Sequence, residues 1–89
     1  MKNNSILKAD GTTVPFAAPT NARKGYPLEA LKGAIGGGWI EIVRLPKGMI
    51  LVIDEEGLLK GMPLNMAASQ LAGQPIVGDA LLCSTTDVK

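Results

Sequence analysis

The sequence contains no histidine and only one cysteine, Cys83, among its 89 residues. A single cysteine excludes an internal disulfide, and the absence of histidine removes the commonest metal ligand and the usual general base. Zinc sites and Ser-His-Asp or Cys-His mechanisms are therefore excluded as features of this chain. We expect no metal, no cofactor and no enzymatic activity.

Strong charge and long apolar runs are also missing. Nine lysines and arginines against eight acidic residues leave a net charge of +1, which is too small to attract nucleic acid or an acidic membrane surface. No apolar run approaches the length of a membrane span, and the first five residues lead into no apolar signal region. We expect a cytoplasmic protein that binds neither nucleic acid nor membrane.

Apolar residues, in contrast, are plentiful and make up 46% of the chain. We treat residues 1–89 as a single domain, with residues 1–4 and 84–89 as flexible tails. A domain of this size buries only about 60–65% of the surface that its unfolded chain exposes. So many apolar residues in so small a domain indicate that some apolar surface is shared between subunits. We therefore expect a homo-oligomer.

The strongest strand signal lies in residues 39–45 and 49–53, which a Pro46-Lys47-Gly48 turn connects. The second run is almost continuously apolar, which predicts a strand buried on both faces. In the first run each face carries one charge, Glu41 or Arg44, among apolar residues. That pattern fits a face covered by another subunit or a ligand, or edge charges that discourage aggregation.

Shorter runs predict the rest of the sheet. Asp10-Gly11 suits a tight turn between residues 5–7 and 12–16, so we predict a first hairpin, with a frayed arm as the alternative. Residues 17–25 are typical of a loop. Residues 76–83 predict a last strand, interrupted at Gly78-Asp79 by a bulge or by the close approach of another backbone or a ligand.

Two helices complete the predicted fold. Pro27 suits a first helical position, and apolar spacing predicts a covering helix at about 27–35 that ends at three glycines. Asn65 suits the N-cap of a short helix at about 66–71. Residues 54–57 predict a solvated acidic turn leading to a short strand or extended segment at 58–60. We therefore predict a small α+β domain with a mainly antiparallel sheet of about five strands.

Several of these segments, taken together, resemble a family of short uncharacterised proteins that is common in bacteriophages and mobile elements of Gram-positive bacteria. Trp39 stands where that family more often has tyrosine. The resemblance implies a genomic context rather than a mechanism. The matching segments are residues 27–31, 37–46, 52–57, 60–65 and 76–83.

This context is similar to that of small phage proteins that sequester nucleotide-derived immune signals between subunits. By that analogy the ligand is a cyclic nucleotide or an ADP-ribose derivative in the host bacterial cytosol. Trp39 would stack a base, and Arg44 or Lys60 would meet a phosphate. Asn65 and Asp79 would bond the ribose or base edges.

Each of these residues also has a structural interpretation. Trp39 could anchor a core or an interface, and Asn65 could serve only as a helix cap. Asp79 could lie half exposed at a strand edge or pair with Arg44 or Lys60. The alternative function is a protein-interaction module that inhibits a host protein through a sheet edge or an apolar face.

Overall fold

Five strands form one antiparallel sheet with a helix on each side. The structure is a computed structural model that describes residues 4–16 and 28–84. The strand order is β2-β1-β5-β4-β3, and every neighbouring pair is antiparallel. This architecture confirms the predicted small α+β domain. Its elements are β1 (Ser5–Leu7), β2 (Thr13–Pro15), α1 (Leu28–Ala34), β3 (Ile40–Arg44), β4 (Met49–Asp54), α2 (Met66–Ala72) and β5 (Ala80–Ser84).

Alternate residues of β4 and β5 face two separate cores. Ile50 and Val52 belong to a buried cluster with Leu31 of α1, whereas Leu51 belongs to a second cluster with Ala68 of α2. Since successive side chains of a strand point to opposite faces, α1 and α2 cover opposite faces of the sheet. We call these the α1 face and the α2 face.

The hairpin of β3 and β4 lies at one edge of the sheet. The predicted burial of the second run is confirmed, because β4 is buried from Ile50 to Asp54 and pairs with a strand on each side. The middle strand is β5, and β3 is an edge strand. Ile42 of β3 consequently keeps 40% of its surface exposed.

Some expectations need correction or lie outside the described residues. The segment at 58–60 is neither a strand nor extended, since residues 55–61 form successive turns. The predicted loop at 17–25 and the helix start at Pro27 are outside the described ranges. The predicted flexible tails are wrong for two residues, since Asn4 is buried and Ser84 ends β5. The other residues of the predicted tails lie outside the described ranges. Neither described helix is long and apolar enough to cross a membrane.

Candidate functional site

An ion pair between a buried carboxylate and a partly exposed lysine lies where β4 ends. Asp54 is only 4% exposed, and its Oδ2 lies 2.8 Å from Nζ of Lys60. The Glu56 N–H donates to the other carboxylate oxygen at 2.8 Å. The Lys60 hydrogen bond holds the pKa of Asp54 below its usual value, against the opposing effect of burial. The expected solvated turn is therefore wrong for Asp54, although Glu55 and Glu56 are exposed.

Gly38 covers this ion pair. A Cβ at this position would lie 2.6 Å from Oδ2 of Asp54 and 2.7 Å from Nζ of Lys60, which is closer than real Cβ contacts. The preceding Gly36 and Gly37 both have φ of 100° and end α1, as the sequence predicts. The third glycine thus leaves room for the pair at the point where the chain enters β3.

Trp39 follows Gly38 along the chain and has an exposed aromatic side chain. Its side chain is 59% exposed, so it is not a core anchor of this chain. The ammonium of Lys32, from α1, lies 3.8 Å from the ring centroid, within the range of a cation–π interaction. The Trp39 carbonyl accepts a hydrogen bond from the Glu55 N–H at 2.9 Å. The hydrogen bond therefore holds the Trp39 backbone beside Glu55, while the indole ring is exposed to solvent.

Asn65 is the most heavily bonded of the predicted site residues. It is 0% exposed, and its Oδ1 accepts from the Ala68 N–H at 3.0 Å as the N-cap of α2. Its Nδ2 donates to the carbonyls of Leu7 at 2.7 Å and Gly78 at 2.8 Å. Both amide hydrogens are therefore used within the fold. A ligand would have to displace structural hydrogen bonds to reach this side chain.

Asp79 pairs with neither Arg44 nor Lys60. Its Oδ1 accepts from the Ala9 N–H at 3.0 Å, and its Oδ2 lies 3.3 Å from Nζ of Lys8. The preceding Gly78 has φ of 79°, and a Cβ there would lie 2.7 Å from the Met62 sulfur. The group that approaches this glycine is therefore the Met62 side chain, and not the other backbone or the ligand that the sequence predicted. Asp79 fastens β5 to the turn that follows β1.

The register brings four of the five predicted residues to one end of the sheet and leaves Arg44 at the other. Ile40 pairs with Asp54 at the end where Trp39 and Lys60 lie. Arg44, at the opposite end of β3, pairs with Ile50. Arg44 lies five positions after Trp39 along the strand, a span of about 16 Å. Arg44 therefore cannot share a small pocket with Trp39.

The α2 face carries a shallow cleft of about 140 Å³ beside β3. Its walls combine apolar side chains, among them Val43, Ile53 and Ile76, with the carboxylates of Glu41 and Glu55. Drug-sized ligand sites usually span about 300–1,000 Å³, so this cleft is small for a cyclic dinucleotide. Within the described ranges, no three acidic or cysteine side chains are grouped to hold a metal ion.

Two adjacent leucines form the most exposed apolar feature among the described residues. Leu58 is 81% exposed and Leu59 is 86% exposed, and Leu58 also lines the cleft. We call these two residues the leucine turn. Single exposed apolar side chains are ordinary, but two large neighbours this open indicate a contact surface.

Residues 2–89 match the family described as Domain of unknown function (DUF3846). The chain belongs to this family. The match confirms the predicted membership of an uncharacterised domain family, whereas the bacteriophage context stays a prediction. No curated protein and no solved structure matches the chain.

Two features of this DUF3846 domain were not predicted from its sequence. The leucine turn follows Gly57 and was expected to be a strand or extended segment, so its exposure was not foreseen. Lys32 reaches Trp39 only because the glycine turn folds β3 back beside α1. No periodicity links residues 32 and 39, and a contact made through an irregular turn leaves no regular pattern.

Proposed function

We propose that this domain is a non-enzymatic module that captures a partner protein through the leucine turn. The observation that carries the proposal is the exposure of Leu58 and Leu59, at 81% and 86%. Burying one leucine side chain contributes about 1.5–3 kcal/mol. Neither side chain supplies that contribution to the folding of its own chain. In the phage context that the resemblance implies, the partner is a host protein.

The cleft beside the leucine turn suggests the chemistry of the partner. Leu58 belongs to both features, and Glu41 and Glu55 place negative charge at the cleft. An apolar segment carrying a lysine or arginine would complement such a surface. A phosphate group would meet like charge instead, which supports a protein partner over an anionic ligand at this cleft.

The test uses a photo-crosslinking amino acid in place of Leu59. The matched control places it at Val14, which is 41% exposed on β2 at the far edge of the sheet. In a bacterial lysate, we expect an adduct to one protein from position 59 and not from position 14. Mass spectrometry then identifies the partner.

The purified partner is then titrated with the chain and with Leu58→Ser/Leu59→Ser. We expect about 100-fold weaker binding, since losing two buried leucines removes about 3 kcal/mol or more. The melting temperature should hardly change, because both side chains are already exposed. Equal adducts at both positions, or unchanged affinity of the double variant, would contradict the proposal.

A nucleotide-derived signal is the second candidate, and one observation favours it. Trp39 presents an exposed indole beside Lys32, and the Lys60 ammonium lies close to the neighbouring Gly38. An aromatic ring with neighbouring ammonium groups can stack a base and meet a phosphate. Against it, Lys60 already donates to Asp54, and Asn65 and Asp79 have partners within the fold.

Thermal melting against cyclic di- and trinucleotides and ADP-ribose derivatives tests this candidate. A ligand at about 100 times its dissociation constant adds about 2.7 kcal/mol, a shift of several degrees. Trp39→Ala should remove the shift and Val14→Ala should keep it. The ligand should be recovered intact after heat release, since a degraded ligand would mean catalysis. A panel that produces no shift would contradict sequestration of these compounds.

A further inference from the structure

We propose that β3 is a self-association edge, where two copies of the chain join their sheets antiparallel about a two-fold axis at Ile42. The outward backbone groups of β3 are distinct from Leu58 and Leu59, although Glu41 and Val43 of the same strand line the cleft. Self-association therefore goes beyond the proposed partner capture. Three features of the sheet favour this edge: the hydrogen-bonding parity of the two edge strands, the charges along β3 and the exposure of Ile42.

The parity of β3 follows from two hydrogen bonds. The Leu45 N–H donates to Met49 and the Glu55 N–H donates to Trp39, both at 2.9 Å. In an antiparallel pair, every second residue directs its N–H and C=O toward the partner strand. Odd-numbered residues of β3 therefore bond to β4. The outward groups belong to Ile40, Ile42 and Arg44, and no other described strand pairs with them.

The strand at the opposite edge of the sheet, β2, is poorly suited to pair with another strand. The Phe16 N–H donates to Asn4 at 3.0 Å and the Lys8 N–H donates to Thr12 at 2.8 Å, so the even-numbered residues of β2 face β1. Its outward positions are Thr13 and Pro15, and Pro15 has no N–H to offer. Growth of the sheet from β2 is disfavoured, as in natural edge protection. A closed dimer through β3 is preferred over an open array.

Charge selects the register of this dimer. With Ile42 opposite Ile42 of the second copy, Ile40 meets Arg44 and every outward N–H and C=O of β3 finds a partner. A shift in one direction places Glu41 opposite Glu41 of the second copy, and like charges directly opposite are destabilising. A shift in the other direction pairs Ile40 with Pro46, which lacks an N–H. The Ile42 register avoids both the opposed Glu41 charges and the missing N–H of Pro46. It also covers the Ile42 side chain, which is 40% exposed.

Hydrogen exchange gives the most direct test, because it needs no variant. As protein concentration rises, the amides of Ile40, Ile42 and Arg44 should become protected. The amides of Glu41 and Val43 should stay protected at every concentration, since they bond to β4. Sedimentation should show the mass rising from 9.3 kDa to twice that value over the same range. A monomer at every concentration, or protection without this alternation, would overturn the proposal.

Two substitutions test the register. Ile42→Lys should weaken the dimer by more than about tenfold through opposed charges, whereas Val14→Lys on β2 should not. Ile42→Cys should form an intermolecular disulfide faster than Val14→Cys, because hydrogen-bonded antiparallel pairs hold Cα atoms about 5.5 Å apart. Cys83 is fully buried and should not compete. Equal cross-linking at positions 14 and 42 would exclude this register.

Discussion

Asn65→Ala should lower the free energy of unfolding by about 3–5 kcal/mol. The loss of a helix N-cap costs about 1 kcal/mol. The substitution also leaves the Leu7 and Gly78 carbonyls, now bonded at 2.7 and 2.8 Å, without their donor in a fully buried site. Each buried polar group without a partner costs about 1–3 kcal/mol. For a small domain, the melting temperature should fall by more than about 12 °C.

Asn65→Asp separates the cap from the amide donors. The new carboxylate still accepts from Ala68, but it opposes the carbonyls of Leu7 and Gly78, so neutral pH should give a loss at least as large. Burial raises the pKa of this introduced group above the unfolded value of about 3.9. Its protonated form donates one hydrogen bond, so stability should recover as the pH falls and be lost as it rises through the raised pKa.

Chemical denaturation followed by circular dichroism measures both variants, with Gln70→Ala on the exposed part of α2 as the matched control. The control should stay within about 0.5 kcal/mol of the unmodified protein. If Asn65→Ala matched the control, the three side-chain hydrogen bonds of Asn65 would not hold α2 to β1 and to the segment that precedes β5.

Asn65 also illustrates what the sequence could and could not predict. An asparagine just before an apolar helical segment predicts an N-cap, because the bond to Ala68 spans only three residues. The bond to Leu7 spans 58 residues and depends on β1 lying beside β5. Strand order of this kind is set by tertiary packing. The sequence therefore predicted the cap but could not exclude Asn65 as a ligand-binding residue.

The same distinction applies to the charged residues. Strand positions followed from apolar runs and turn residues, so β3, β4 and both helices were predicted close to their observed bounds. The partners of Asp79 and Lys60 depend on which turns lie side by side at one end of the sheet. Of the alternatives left open for Asp79, a pair with Arg44 or Lys60 is wrong, and the carboxylate is partly exposed. Lys8 and Asp54 are the observed partners. Their separations along the chain follow no helix or strand period.

Lys60→Met should lower the stability at neutral pH, but by less than the loss of a fully buried ion pair. The substitution keeps the apolar stem but removes the ammonium that lies 2.8 Å from the Asp54 carboxylate, whose side chain is 2% exposed. Breaking a fully buried pair costs about 3–5 kcal/mol. The Lys60 side chain is 41% exposed, so water can partly replace it and the expected loss is smaller. Asp54→Asn should cost less, because no buried charge remains.

The pH dependence of this loss provides a sharper measurement. In the unmodified protein the Lys60 hydrogen bond lowers the pKa of Asp54, so the contribution of this carboxylate is complete above about pH 4 and is lost as the pH falls through the lowered pKa. In Lys60→Met the main lowering cause is gone while burial still raises the pKa. The stability difference between the two proteins should therefore be largest at neutral pH and shrink below about pH 4. A constant difference across that range would contradict the role of the pair.

Gly38→Ala should break the same ion pair without removing either charge. The added methyl group would lie 2.6 Å from Asp54 Oδ2 and 2.7 Å from Lys60 Nζ, so the lysine must swing away. Gly33→Ala is the matched control, since a Cβ at this position in α1 meets nothing within 4 Å and alanine favours a helix by about 1 kcal/mol. We expect Gly33→Ala to raise the stability and Gly38→Ala to lower it. If the loss in Gly38→Ala also shrinks below about pH 4, both variants act through the charge of Asp54, and a purely steric cost would not depend on pH.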